Sequence, residues 1–324
     1  MYRVGVDLGG TNIAAAVIDD RYRIVSKVVS KTNLPRPAEA VCDDIVADVW
    51  QAVRDAGLQE QDIESYGIGS PGVINVEKGL IVHASTFRYT NAPLRDLLYE
   101  RSGKEFYCAN DANAAAYGEF IAGAGRGTKD FIAVTLGSGI GGGIIIQNKI
   151  YVGAGFAAGE PGHHVIVQDG ETCLCGRKGC WEAYASATGL IRDTRRAMLG
   201  DPGSRLWALC EGDLSKVDAK TVFDARDLGD PTAAEVVRRY YFYLGTGIAN
   251  LIKILQPEVL CIGGGISNQG QRLIDELEEA MKGRDFQEIH TRVTKLRLAE
   301  LGNDAGLIGA AFLKEQTDEK ERSR

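Results

Sequence analysis

Hydrophobic residues fall in short dense runs from the second residue onward. Tyr2 to Leu8 reads as a β-strand broken by Gly9-Gly10, and Ile13–Ile18 and Ile24–Val29 give two more runs around the turn-forming pair Asp19-Asp20. Three closely spaced runs predict a β-meander. Helical spacing then extends over Ala38–Ala56 and stops at Gly57. Tyr66–Gly69 is a brief strand leading into Ser70-Pro71-Gly72, a turn, and Phe106–Ala109 is a strand that feeds a helix starting near Asp111.

The second half repeats the plan. Phe131–Leu136 reads as a strand, the glycines at 137, 139, 141, 142 and 143 as a turn, and Ile144–Ile146 as the next strand. This is a distant echo of Val4–Val17, in pattern only. Pro231–Leu255 is a long helical stretch, and Val259–Ile262 is a buried-type strand ending in Gly263-Gly264-Gly265. A helix follows from about Gln269, and Ala305–Leu313 is the final helix. The charge-rich Lys314–Arg324 run is expected to be a frayed, solvated end.

Strands alternating with helices predict an α/β protein. The expected architecture has two α/β lobes around a central cleft, with the junction near Asn110. A small lobe would cover residues 1–109, with a helix at about 304–315 packing back on it. A large lobe would cover 110–303 and carry the cysteine segment described below.

Composition narrows the function. The chain has 324 residues, 44% hydrophobic and 25% charged, with a net charge of -7. That balance suits a globular protein and argues against a nucleic-acid-binding surface. No stretch approaches the ~20 apolar residues of a membrane helix, and the immediate strand pattern shows no signal peptide. The expectation is a cytoplasmic protein with neither nucleic-acid nor membrane partners. Seven cysteines do not suggest a secreted disulfide framework. Cys42, Cys108, Cys210 and Cys261 lie among apolar neighbours and read as small buried hydrophobes.

Candidate chemistry begins with the glycine turns. Asp7-Leu8-Gly9-Gly10-Thr11-Asn12 joins two strand runs. Glycine lets backbone N–H groups approach an anion, the Thr11 hydroxyl can donate to a phosphate oxygen, and Asp7 could hold a water of hydrated Mg²⁺. Gly137-Ser138-Gly139, after a strand that contains Thr135, offers the same devices. Gly264 and Gly265 follow a strand and precede a helix, a natural seat for an adenosine moiety. There is no P-loop Gly-Lys-Ser/Thr, and Gly139–Gly143 leads into a strand, unlike a Rossmann fingerprint. One such turn alone would be a tight hairpin; three after β-runs point to nucleotide phosphates.

Cys173, Cys175 and Cys180 fall in one segment, with His163 ten positions before the first and His164 beside it. Three thiolates and an imidazole are the ligand set of a structural zinc site, and Gly176 and Gly179 let the loop fold back. Free thiols or a redox pair are the plainer alternatives, and spacing leaves His163 and His164 both open. Asp111 sits at a strand-to-helix junction, where a carboxylate suits a base or is simply an N-cap. Glu160 and Glu182 flank the cysteine segment, and carboxylates, amides and imidazoles are the groups that hold sugar hydroxyls in fixed directions.

Asp7-Leu8-Gly9-Gly10-Thr11, Ser70-Pro71-Gly72, Asn110-Asp111-Ala112-Asn113, Leu136–Gly143, Gly159–His163 and Cys173–Glu182 together resemble the ROK family (repressor, open reading frame, kinase), in the family's order and over nearly the whole chain. The resemblance implies the actin-like ATPase (hexokinase, ribonuclease H-like) fold, ATP with Mg²⁺, a small-molecule hexose substrate and a homodimer or homotetramer. It implies Asp111 as catalytic base, Gly72, Asn110, Asp111, Glu160, His163 and Glu182 as sugar-binding residues, and His163, Cys173, Cys175 and Cys180 as zinc ligands. The nucleotide would meet Asp7, Gly9, Gly10, Thr11, Asn12, Thr135, Gly137, Ser138, Gly139, Gly264 and Gly265. Two positions depart from the pattern. Asn12 stands where many members have lysine, so a lysine contact to phosphate is not expected there, and Pro161 stands where a branched apolar residue is common.

The expected activity is ATP-dependent phosphorylation of a hexose, with glucose giving glucose 6-phosphate. The alternatives are a kinase for N-acetylmannosamine, N-acetylglucosamine, fructose or allose, a sugar-responsive transcriptional regulator, or an inactive sugar sensor. No helix-turn-helix precedes the first glycine turn, and Asp111 argues against the sensor.

Overall fold

The first 31 residues form a three-stranded meander whose burial follows each strand's place in a sheet. β1 (Tyr2–Leu8) has a nearly continuous buried run, β2 (Asn12–Asp19) is almost as enclosed, and β3 (Ile24–Lys31) alternates regularly. Continuous burial marks a strand covered on both faces, and alternation marks an edge strand with one wet face. In the computed structural model, which describes residues 1–282 and 294–317, these strands lie in the sheet β3-β2-β1-β4-β8. Helix α1 (Ala38–Asp55) leads to β4 (Ile63–Ser70). The short strands β5 (Val73–Asn75), β6 (Leu80–Ala84) and β7 (Tyr89–Ala92) then make a separate sheet. Helix α2 (Leu94–Ser102) precedes β8 (Phe106–Asn110), and α3 (Asp111–Ala122) follows with no intervening residue. β4 and β8 run parallel to β1, so the glycine turn after β1 and the junction after β8 are at strand C-terminal ends in one sheet. Ligands of open α/β sheets bind outside such ends.

β9 (Phe131–Leu136), β10 (Ile140–Ile146) and β11 (Lys149–Ile150) open a second sheet of order β11-β10-β9-β12-β13, which mirrors the first order element for element. β10 starts four residues earlier than its isoleucines suggest. Gly141, Gly142 and Gly143 are in the strand, and a Cβ on Gly143 would lie 2.5 Å from that of Ala116 on α3. Gly143 admits α3 as a close neighbour, and the turn itself is only Gly137–Gly139.

Helices α4 (Glu182–Ala185), α5 (Ala187–Gly200), α6 (Leu206–Leu209), α7 (Ala219–Asp227) and α8 (Pro231–Leu255) come next. β12 (Val259–Gly263), α9 (Gln271–Met281), β13 (Lys295–Leu298) and α10 (Ala305–Ala311) complete the chain's regular elements among the described residues. α5, α7 and α9 all pack on α8. Asp230 caps α8 by accepting from Ala233 N–H, and Pro231 occupies its first turn, where no amide is needed.

α10 is rich in Gly and Ala because it rests directly on the first sheet. A Cβ on Gly5 would meet the Leu307 carbonyl oxygen at 1.9 Å, and one on Gly67 would meet that of Ala310 at 1.8 Å. The two compact units follow from this packing. One comprises Met1–Ala133, Gly143–Gly159 and the described residues from Ala299 onward, and the other Val134–Gly142 and the described residues of Glu160–Leu298. This division differs from the one expected at 109/110. α3 lies with the first sheet because it packs on α10, where a Cβ on Gly309 would lie 1.8 Å from the Ala114 carbonyl oxygen.

Leu313–Gln316 is a short 3-10 turn, and residues 318–324 of the expected frayed tail lie outside the described residues. Cys42, Cys108, Cys210 and Cys261 are buried and form no disulfide. Among the described residues, no helix is long and apolar enough to cross a membrane.

Candidate active site and cysteine cluster

In the first unit, the strand-to-helix junction separates two jobs that the sequence leaves on one residue. Asn110 is the N-cap of α3: its side-chain oxygen accepts from Asn113 N–H at 3.1 Å, and its amide donates to the Gly72 carbonyl at 3.0 Å. Asp111 is the first helical residue and is therefore not needed as the cap. Its Oδ1 accepts from Ala112 N–H at 2.9 Å. Burial pushes the Asp111 carboxyl above its usual pKa, against the lowering effect of the Ala112 and Asp111 N–H groups and the Asn110 side chain. The helix N-terminus alone would have moved it the other way.

Asp7, one residue from the end of β1, is pushed up to about 6, first by burial and then by the Asp111 charge, with Lys27 opposing. Two desolvated carboxyls that feel each other are a site for a proton or a cation. Gly72 holds φ at 101°, and a Cβ there would lie 2.2 Å from the His83 carbonyl oxygen, so only glycine presents this carbonyl to Asn110.

The first glycine turn is closed by Gly9 N–H donating to Asn12 O at 2.9 Å. The buried Thr32, just past β3, braces it. Its hydroxyl donates to Gly9 O at 2.7 Å and its N–H to Thr11 O at 3.0 Å. The Lys31 ammonium donates to Asn12 Oδ1 at 2.9 Å. Sequence reasoning passed over Thr32 and Lys31: Lys31 is the register partner of Asn12 only because the pairing shifts by one between Val17 and Ile18, and counting from the turn would put Ser30 there.

In the second unit, Gly137 N–H donates to Gly139 O at 3.0 Å, Ala187 N–H to Gly137 O at 2.9 Å, and the Thr188 hydroxyl to Ser138 O at 2.7 Å. Glu182 joins this turn to the cysteine segment: its Oε2 accepts from Ile140 N–H at 2.8 Å, and its Oε1 lies 3.5 Å from Cys173 Sγ. Gly264, with φ of 84°, lies against the end of β9, where a Cβ would be 2.5 Å from Leu136 O. Thr135 is on β9, and Gly265 opens the 3-10 turn that precedes α9. Glu160 is exposed, and its carbonyl accepts from His163 N–H at 3.2 Å. Pro161 opens the 3-10 turn Pro161–His163.

His163, Cys173, Cys175 and Cys180 place their ligand atoms within 4.8 Å of one another. Cys173 Sγ is 3.7 Å from His163 Nδ1, and Cys175 Sγ is 3.7 Å from Cys180 Sγ. A zinc tetrahedron with ~2.3 Å bonds to sulfur and ~2.0 Å to nitrogen has edges of roughly 3.5–3.8 Å, so the donor set fits that ion in chemistry, and both 3.7 Å separations match such edges. His164 turns away, with Nδ1 donating to Pro161 O and its ring against Trp181. The loop closes where Gly179 (φ of 81°) passes so near Val167 that a Cβ would be 1.8 Å from its carbonyl oxygen. The fully buried Trp181, whose Nε1 donates to Tyr243 O at 3.0 Å, then anchors the segment to α8.

The ROK family model matches residues 3–317, and the chain belongs to the ROK family. The glucokinase of Halalkalibacterium halodurans is 37% identical over 316 residues, covering 97% of this chain and 95% of that protein. Among solved structures, a ROK family glucokinase from Streptomyces griseus in complex with glucose and AMPPNP is 36% identical. It superposes with a TM-score of 0.79 over 98% of this chain and all of its own. A ROK hexokinase from Thermus thermophilus is 34% identical with a TM-score of 0.81, covering 97% of each chain. The fold is the actin-like ATPase α/β fold.

Proposed function

We propose that this ROK-family sugar kinase transfers the γ-phosphoryl group of ATP to the 6-hydroxyl of glucose. The observation that carries the reading is Asp111: a buried carboxyl with raised pKa, fixed at the start of α3 while Asn110 does the capping. Phosphoryl transfer has a loose transition state, so positioning and charge stabilisation supply most of the rate. The attacking hydroxyl must still lose its proton, and a fixed carboxylate is the group to accept it.

In this reading Asp111 is the general base, and Gly72, Asn110, Glu160, His163 and Glu182 hold the sugar. Asn110 keeps a lone pair on its side-chain oxygen beyond its cap bond, while its amide serves Gly72 and Asp111. Gly10, Thr11 and Asn12, and Ser138 and Gly139, turn N–H groups to the phosphates, Gly9 and Gly137 shape the two turns through their own N–H bonds, and Thr135, Gly264 and Gly265 lie nearer the nucleoside. Asp7 would hold Mg²⁺ through water, and its repulsion with Asp111 favours a cation there. When bound, Mg²⁺ neutralises charge on the transferring phosphoryl group. His163, Cys173, Cys175 and Cys180 hold a structural zinc, and the family relationship supports an assembly of two or four copies. Identity of 35–37% to several glucokinases supports glucose as the acceptor.

A coupled assay with ATP and Mg²⁺ over a hexose panel tests the reading. Glucose is expected to give the highest kcat/KM. A higher value for N-acetylmannosamine, N-acetylglucosamine, fructose or allose overturns glucose, and no turnover of any of them overturns the kinase assignment for these sugars.

A further inference from the structure

The first glycine turn has an electrostatic deficit. A nucleotide's phosphates carry several negative charges, whereas backbone N–H groups supply only partial ones. No lysine or arginine occurs between Val4 and Asp20, and the charged group nearest in sequence to the turn is the carboxyl of Asp7. A cationic side chain for this turn, beside any Mg²⁺ at Asp7, has to come from another segment.

The β2–β3 pairing brings one. Lys31 is the register partner of Asn12, and its ammonium donates to Asn12 Oδ1 at 2.9 Å. Its backbone cannot drift from the turn, because the next residue, Thr32, is buried and bonds both Gly9 O and Thr11 O. Lys27, four residues earlier on the same strand, is already committed to Asp304 at 2.6 Å. Among the described residues Lys31 makes no ion pair. One of its three ammonium protons is used by Asn12, an uncharged acceptor that orients the group without neutralising it. A compact ammonium on a flexible stem, exposed and held at the mouth of an N–H-lined turn, is a phosphate-binding device.

We propose that Lys31 is the phosphate-binding cation of the first glycine turn, presented across the hairpin by Asn12. The inference rests on reading that turn as a nucleotide-phosphate site. It adds that the turn's positive charge comes from the end of β3, with Asn12 as the residue that positions it. Lys31 touches phosphate, and Asn12 acts through Lys31.

The test is calorimetric titration of the full-length protein with AMPPNP and Mg²⁺, with adenosine as the phosphate-free probe. Lys31→Met, on an exposed position, is expected to weaken AMPPNP binding about tenfold or more, the loss of one charge-assisted hydrogen bond. Adenosine binding should be unchanged. Asn12→Lys in the Lys31→Met background returns a cation to the facing position and should recover most of the loss. A Lys31→Met protein that binds AMPPNP within about twofold of the parent, or that loses adenosine equally, overturns the proposal. So does a double variant that stays as weak as Lys31→Met. A parent protein that binds no AMPPNP removes the nucleotide reading and this inference with it, whereas a parent that binds beside an equally tight Lys31→Met removes only the role of Lys31.

Discussion

The first glycine turn is held by its own hairpin, whereas the second is held by residues that follow the cysteine loop. Around Gly9–Asn12 the braces are Thr32 and Lys31, from the strand paired with the one the turn begins. Around Gly137–Gly139 they are Glu182, Ala187 and Thr188, some 40 to 50 residues away in sequence. The sheets share one strand order, and their turns arise in the same way, so the contrast lies in the support. A turn braced by its hairpin stays formed as long as the sheet does. A turn braced through Glu182 depends on whatever holds Cys173–Cys180 together.

The strongest way to break the comparison is to remove a cysteine ligand. Cys175→Ser, or chelation of the metal, is expected to destabilise the second unit severely, since structural zinc supplies on the order of 10 kcal/mol of apparent free energy in small domains. Hydrogen exchange should quicken at Ile140 and Ala187 while the Gly9 and Thr32 amides keep their protection. Elemental analysis should find about one zinc per parent chain. Metal-free protein with full activity, or equal loosening of both turns, removes the distinction.

Asp7 provides a test confined to the first turn. Its folded-state pKa of about 6 lies above the ordinary 3.8, so folding favours the protonated form. The resulting stability penalty is absent below about pH 3.8, grows as pH rises, and is complete above about 6. Asp7→Asn, measured without metal, should therefore stabilise the protein by on the order of 2 kcal/mol at pH 8 and by little near pH 4. An equal gain at both pH values would show that the carboxyl's charge is not the cause.

A smaller effect is expected at the second turn. Glu182→Ala leaves the Ile140 N–H without its acceptor, a cost of about 1–3 kcal/mol, with zinc content unchanged. Gly139→Ala places a Cβ 2.4 Å from Glu182 Oε2 and should cost less, because the side chain can give way. In the Glu182→Ala background that cost should nearly vanish. A double-mutant cycle by denaturant unfolding reads the coupling, and additive costs would mean that Glu182 does not brace the turn.

The same contrast separates what was legible in the sequence from what was not. α8 runs over Pro231–Leu255 as its caps and spacing indicate, α1 ends one residue early, and β9 matches its apolar run. Local signals suffice for such elements. The cysteine cluster was equally legible, because ligand types in one segment define their own geometry. The β5–β7 sheet was missed, since its strands are three to five residues long and partly polar. Gly141–Gly143 read as turn because glycines mark turns locally, and nothing local says that α3 needs room beside Gly143 in β10. The compact units divide differently from the boundary near Asn110 for a related reason: α3 joins the first unit through α10, nearly 200 residues later. Asp111 had the opposite fate. Its position was plain, but its raised pKa comes from burial that no neighbour in the sequence reveals. The braces of both turns are tertiary too, and the register shift between Val17 and Ile18 puts even Lys31 one step off a count along the hairpin.

Asp111→Asn tests the central claim most directly. The amide nearly preserves the shape of the carboxylate but cannot take a proton. In steady-state assays with ATP and glucose, beside circular dichroism, the variant should fold, retain sugar binding and lose kcat by roughly 10²-fold or more. The parent's kcat/KM should fall as pH drops through the raised pKa of Asp111, because the base works only when ionised, and the variant should lose that limb. A folded Asp111→Asn enzyme with near-parental kcat would contradict the assignment of Asp111 as the base.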